Sequence, residues 1–359
     1  MSAELKNGAF CVLPFIEKFQ NLDGKQYLCC YSDIPVTSPQ SILQIQKDIT
    51  NGIKTPECHK CYKLESDKVI SPRQRESIFW FRDSEVKEYV ANWTPESNPQ
   101  TFFYDIRYSN KCNLACISCN PTDSSLWAKE LKVDIVNYPL NFAIDELLSA
   151  KKIYLAGGEP LIIDEFIDLI KCIAEQDVQP EVVINTNLTS VTEDLQKSLS
   201  RIKNLTLTVS IDGYESVNEY HRWPLKWTKL LNNLQWIQEN IQCTIQMNSV
   251  VNAVTILNID QLIKIEYLID QWNLSILTTP TSLLIKNLPD HLKSIVADNF
   301  KNIKQSKFYK QDPIFKTRVE NILLEIFLPG DPVALSTFID TIDQRRHINH
   351  ENYLGVKLT

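Results

Sequence analysis

In residues 102–120, FFYDIRYSNKCNLACISCN, an apolar strand pattern runs straight into a loop that carries Cys112, Cys116 and Cys119. The C-x3-C-x2-C spacing puts three thiols on one short loop, which can wrap three corners of an iron–sulfur cubane. A structural zinc site takes four ligands, and no histidine or acid within the triplet supplies a fourth. Three cluster ligands leave one iron open, where a substrate or cofactor can bind.

From this loop outward, apolar strands alternate with amphipathic helices, the mark of stacked βα units on a parallel sheet. Strands are expected near residues 102–107, 152–156, 181–186, 204–211, 242–251 and 273–278, with helices near 123–132, 142–150, 163–175, 191–201, 227–240 and 259–271. Six such units fall short of the eight of a closed barrel. The expected fold is therefore α/β, a partial (β/α)6 barrel over residues 101–285. Residues 1–100, rich in turns and cysteines, read as a separate module, and residues 286–359 as a helical C-terminal tail.

Composition narrows the class. Of 359 residues, 43% are hydrophobic and 23% charged, ordinary for a globular chain, and the formal net charge is −7. Backbone binding to nucleic acid needs a basic footprint, so no nucleic-acid partner is expected. No apolar window is long enough for a membrane helix, and the opening MSAELKNGAFCVLPF lacks the parts of a signal peptide. The expectation is a cytoplasmic protein with no membrane partner, where thiols stay reduced and clustered cysteines serve as metal ligands. The ten cysteines form two groups, Cys11, Cys29, Cys30, Cys58 and Cys61 in the first and the triplet in the second, with Cys172 and Cys243 apart. Two groups suggest two metal centres.

The triplet and its CNLxC wording resemble the radical S-adenosylmethionine (SAM) superfamily. Four later segments fall in that family's order: YLAGGEPLI (154–162), INTNLT (184–189), VSIDG with EYHRW (209–213 and 219–223), and QMNSVVN (246–252). The resemblance implies a [4Fe–4S] cluster on Cys112, Cys116 and Cys119, with SAM chelated to the open iron and cleaved reductively to a 5′-deoxyadenosyl radical. That radical abstracts hydrogen from a C–H bond. The resemblance also implies SAM contacts from Gly157, Gly158 and Glu159, the last to the SAM amino group, and from Thr186 and Asn187. Ser210 and Arg222 would meet the ribose or carboxylate, Asp212 would close the strand end, and Asn248 would lie beside the adenine. Leu188 stands where the family has glycine, and Ser118 where an aromatic residue is common.

The amino-terminal stretches CVLPF (11–15), NLDGKQYLCC (21–30) and TPECHKC (55–61) resemble the auxiliary-cluster modules called twitch and SPASM, in a subgroup that carries the module before the barrel. SPRQRES (71–77) and SSLW (124–127) belong to the same likeness. It implies a second [4Fe–4S] cluster on Cys11, Cys29, Cys58 and Cys61. Cys29 is preferred to Cys30 because it completes a G-x4-C spacing from Gly24. Four thiolates also suit zinc, and spacing does not separate the two metals. Auxiliary-cluster relatives often modify peptides, so a peptide or protein side chain is the expected substrate, with dehydrogenation of a sugar or cyclitol as the alternative. An electron donor such as flavodoxin or ferredoxin is the expected partner. A non-catalytic SAM- or metal-binding protein on the same barrel is the alternative of another class.

Other residues read as structural. Cys172 sits in a helical pattern and Cys243 out of phase with Asn248. His221 is close enough in sequence to Arg222 to reach a pocket mouth. His291, His347, His350 and the pair Arg345 and Arg346 are expected on the solvated surface, and Trp80, Trp93 and Trp127 in core or interface positions.

Overall fold

A computed structural model describes residues 8–66 and 70–358. Residues 1–7 and 359, the outer ends of the first and last expected segments, lie outside the described residues, as do 67–69. The strands are β1 (Glu17–Gln20), β2 (Gln26–Tyr27), β3 (Phe103–Ile106), β4 (Lys152–Leu155), β5 (Glu181–Thr186), β6 (Leu205–Ser210), β7 (Thr244–Val251) and β8 (Gln271–Ile276). They form one eight-stranded sheet in the order β2-β1-β3-β4-β5-β6-β7-β8. β1–β3, β3–β4, β6–β7 and β7–β8 pair in parallel, and β1–β2 antiparallel. The α/β class and the mostly parallel sheet agree with the sequence reading.

The chain gathers into two compact units. The first comprises the chain up to Ser109 with Val136–Gly157 and Gln176–Val182. Its core packs Phe10, Phe15, Trp80 and Phe103 with the aliphatic residues of the Pro39–Thr50 helix. β1 and β2 belong to this unit and extend the sheet beyond the six strands expected from sequence. β1 reads Glu-Lys-Phe-Gln and β2 is two residues long, so neither carries enough alternation to be recognised. β1 is specified by its partner instead, with Phe19 opposite Asp105 on β3.

The second unit comprises Asn110–Ile135, Gly158–Glu175 and the chain from Val183 onward. In β7, Ile245, Met247, Ser249 and Val251 are buried while the alternate residues are partly open, the period of two that a strand imposes. Helix Trp227–Asn240 matches its expected limits and buries Trp227, Leu230, Leu234 and Ile237 along one stripe. The expected α-helix over 259–271 is instead a 3-10 run, Ile259–Leu268. Its apolar residues explain the difference: Ile259, Leu262, Ile265 and Leu268 recur every third position, are all buried, and so suit three residues per turn. The C-terminal helices Pro313–Ile326 and Pro332–Arg346 fold into this unit, where Phe308 and Phe315 pack on Trp272 of β8.

Candidate active site

The cysteine loop lies within the second unit and is held by its own backbone. Ala115 N donates to Trp223 O at 2.6 Å and Ile117 N to His221 O at 2.8 Å, so the loop is laced on both sides of Cys116 to the EYHRW segment. Ser125 Oγ accepts from Cys112 N, and Ser124 Oγ donates to Leu114 O. The three sulfurs interact electrostatically with one another. Burial and the neighbouring Cys116 push the Cys112 thiol up to about 12, and burial also raises Cys116 and Cys119. Buried sulfurs that repel one another become thiolates when a cationic centre lies among them, so this donor set fits an iron–sulfur cluster. Among the described residues no three His, Cys, Asp or Glu side chains converge on one metal ion. Cubane ligands sit at separate corners and need no such convergence.

Glu159 ties two strand ends together. It is 1% exposed, and its Oε1 accepts from Thr186 Oγ1 at 2.5 Å and Leu161 N at 3.1 Å, while Oε2 accepts from Asn187 N at 2.6 Å. Burial raises its pKa to about 6 against the pull of these donors. The residues expected at the ligand, Glu159, Thr186 and Asn187, are therefore one hydrogen-bonded unit. Asn187 continues it, donating to Asn113 Oδ1 of the cysteine loop, while Asn113 donates to Thr189 Oγ1.

Gly158 is constrained by the cysteine loop itself. A Cβ there would stand 2.3 Å from Lys111 O, so the cysteine loop leaves no room for a side chain. Glu159 N donates to that same carbonyl at 2.8 Å. Gly157 has φ +115°, and a Cβ would meet Ser109 O at 2.8 Å. Leu188, in the family's glycine position, is buried with φ +55°, and its amide donates to Thr186 Oγ1.

Asp212, at the end of β6, gathers the remaining charges. Its Oδ2 lies 2.6 Å from Arg222 Nη2 and 2.9 Å from His221 Nδ1, and its Oδ1 accepts from Val250 N at 2.7 Å. Burial opposes the carboxylate, but Arg222 and His221 outweigh it and hold the pKa at about 2. His221 is wholly buried rather than at a pocket mouth. Arg222 Nη1 reaches 3.8 Å from Cys116 Sγ, while its Nε has no hydrogen-bond partner among the described residues. Ser210 Oγ donates weakly to Asn185 Oδ1 at 3.5 Å, and Asn248 Oδ1 accepts from Asn273 Nδ2 at 2.8 Å. Both side chains are partly open.

Two surface expectations fail. Arg346 has a side chain only 2% exposed, paired with Glu130 at 3.2 Å and donating to Ala115 O at 2.7 Å. His350 is buried, its Nδ1 2.8 Å from Asp343 Oδ2, and Asp343 Oδ1 accepts from Tyr220 Oη. A helix-terminal Arg-Arg pair reads as solvated because sequence shows no partner, and Ala115 lies 231 positions away. Trp127, in SSLW, donates through Nε1 to Cys116 O at 2.7 Å, a role hinted only by an indole close after the cysteines.

In the first unit, Cys11, Cys29, Cys58 and Cys61 line one small cavity together with Glu57 and Arg73. Cys30 does not line it and instead interacts with Asp105 and Arg107. Burial raises all four cavity thiols, with Cys58 adding to the rise at Cys11 and Glu17 to that at Cys29. Arg73 is buried beside them, donating to Phe10 O and paired with Glu65 at 2.5 Å.

Residues 106–264 match the family described as the Radical SAM superfamily. A GTP 3′,8-cyclase from Limosilactobacillus fermentum is 33% identical over 86 residues, 23% of this chain and 25% of that protein. One from Clostridium botulinum is 27% identical over 119 residues, 31% of this chain and 37% of that protein. The chain thus spans between a quarter and two-fifths of the length of these curated relatives. Among solved structures, anSMEcpe with bound AdoMet is 18% identical, with 60% of this chain and 59% of that one covered and a TM-score of 0.42. Streptococcus suis SuiB bound to precursor peptide SuiA is 16% identical, with 78% and 60% covered and a TM-score of 0.39.

Proposed function

We propose that the protein, whose residues 106–264 match the Radical SAM superfamily, is an enzyme that cleaves SAM reductively and abstracts hydrogen from a C–H bond of a peptide or protein side chain. The carrying observation is the second unit's cysteine loop, whose Cys116 is flanked by Arg222 and whose Lys111 carbonyl receives the Glu159 amide. A [4Fe–4S] cluster on Cys112, Cys116 and Cys119 would supply the electron for the cleavage.

The chain's own residues orient SAM. Glu159, already holding three donors, has one acceptor direction left for the SAM ammonium. Arg222 keeps one guanidinium edge on Asp212 and turns the other to Cys116, so its action on SAM passes through a group fixed in place. Gly157, Gly158, Thr186, Asn187, Ser210 and Asn248 complete the proposed SAM contacts.

We assign the auxiliary role to the cavity of Cys11, Cys29, Cys58 and Cys61, which would hold a second [4Fe–4S] cluster in a module spanning residues 1–100, ahead of a barrel at 101–285 and a helical extension at 286–359. Flavodoxin or ferredoxin is the proposed electron donor, in a cytoplasmic setting. A small metabolite is the second substrate reading, favoured by the nucleotide in the name of the curated relatives.

The test is anaerobic reduction with SAM, reading 5′-deoxyadenosine together with iron and sulfide. Wild-type chain should release it, whereas Cys116→Ala should not and should retain about half of the roughly eight irons of two clusters. Release by the variant at the wild-type rate sinks the proposal.

A further inference from the structure

A charged group that the proposed function leaves unused is Arg346, at the end of the Pro332–Arg346 helix. Its guanidinium lies 4.8 Å from the Trp127 ring centroid. Nη2 donates to Ala115 O at 2.7 Å, and Nε lies 3.2 Å from Glu130 Oε1. Trp127 in turn donates to Cys116 O. The carbonyls of Ala115 and Cys116 are thus both fixed, one by Arg346 and one by the indole beneath it. Arg346 is also within electrostatic reach of the Cys116 sulfur, and its Nη1 has no hydrogen-bond partner among the described residues.

A guanidinium out of water is costly unless well paired, and a helix-terminal arginine could have pointed to solvent instead. Glu130 supplies one carboxylate, shared at the longer distance of 3.4 Å with Nη2. The guanidinium's Nη2 faces the cysteine loop, closer to Ala115 O than to Glu130. Cationic neighbours stabilise the reduced form of a thiolate-ligated cluster, as hydrogen bonds and net charge around it set its potential.

Resting on the cluster reading above, we propose that Arg346 is a positioning residue for Cys116, fixing the neighbouring Ala115 carbonyl and placing a buried positive charge that raises the reduction potential of the SAM-binding cluster. The C-terminal helix then sets how easily the enzyme is reduced.

The test uses the full chain, anaerobically reconstituted, and follows the midpoint potential of the EPR signal that responds to SAM. That response separates the triplet's cluster from any other. Arg346→Met, which keeps the stem but not the charge, should move the potential to more negative values and release iron to a chelator severalfold faster. Arg346→Lys should recover the potential. Glu130→Gln leaves Arg346 in place and removes its counter-charge, so it should move the potential the opposite way. This variant also decides the matter if Arg346→Met does not fold, because general damage does not produce a shift of opposite sign. Unmoved potentials in the variants overturn the inference, whatever happens to stability. A wild-type chain with no SAM-responsive cluster signal overturns the functional reading itself, and is recognisable because it precedes any variant.

Discussion

Arg222 Nη2 stands 2.6 Å from Asp212 Oδ2, and the carboxylate end of this pair is closed to solvent. His221 presses on the same oxygen from 2.9 Å, and Val250 N supplies the other. Asp212 therefore anchors the segment whose carbonyls at 221 and 223 hold the cysteine loop. The charge pair and the cysteine loop are one mechanical assembly.

This assembly gives a pH signature. The Asp212 pKa is depressed to about 2 from an ordinary 3.8, so its contribution is present above the ordinary value and lost as pH falls through the folded one. That contribution is about 2 kcal/mol. Asp212→Asn leaves Arg222 without its buried counter-charge and should destabilise by about 3–5 kcal/mol at neutral pH. The gap to wild type should narrow by about 2 kcal/mol between pH 4 and 2, read by chemical denaturation across that range. A gap independent of pH rejects the assignment.

Gly158→Ala tests what the glycine serves. The added methyl would stand 2.3 Å from a backbone carbonyl, which cannot swing aside as a side chain can. Overpacking of this kind destabilises by about 1–3 kcal/mol or more. The variant should lose stability with no ligand added, measured by thermal unfolding. Wild-type stability would show that the close approach to Lys111 O does not constrain this position.

At Leu188 the usual order of alanine and glycine should invert. Replacing this buried leucine by either residue removes apolar contact, about 2–5 kcal/mol for Leu→Ala. With φ at +55° the alanine also keeps the left-handed strain, roughly 1 kcal/mol that glycine escapes. Leu188→Gly should therefore be the more stable of the two by equilibrium denaturation.

The auxiliary cavity separates adjacent cysteines. If the cavity holds the proposed cluster, Cys29→Ser should lose that metal or make it labile and Cys30→Ser should leave it, because of these two only Cys29 lines the cavity with the other three thiols. Metal and sulfide analysis in a Cys116→Ala background reads this site alone. One zinc per chain without sulfide would replace the cluster by a tetrathiolate zinc centre.

What sequence conveyed was whatever depends on neighbours in the chain. The C-x3-C-x2-C loop, the limits of the Trp227–Asn240 helix and the strand end before Gly157 all follow from local spacing and period. Isoleucines and leucines recur every third residue from 259 to 268, a period of three that lies close to the 3.6 of an α-helix and is told from it only by burial. The strand at Glu17–Gln20 was hidden because its stability is supplied by β3, not by its own alternation. The burial of Arg346 and His350 was hidden for a related reason. A charged residue reads as solvated until its partner is known, and Glu130 lies 216 positions from Arg346.

The contact from Arg346 to Ala115 also has a consequence in time. A ribosome adding about 5–20 residues per second takes roughly 10–50 seconds to travel the 231 positions between them. Throughout that interval the cysteine loop exists in the nascent chain without the guanidinium that clasps its carbonyl. Metal delivered early would meet a loop free to adopt other geometries, including mispairing with the cysteines made before it. On the proposed cluster reading, loading after residue 346 has been made avoids that hazard, because only then can the clasp on Ala115 form.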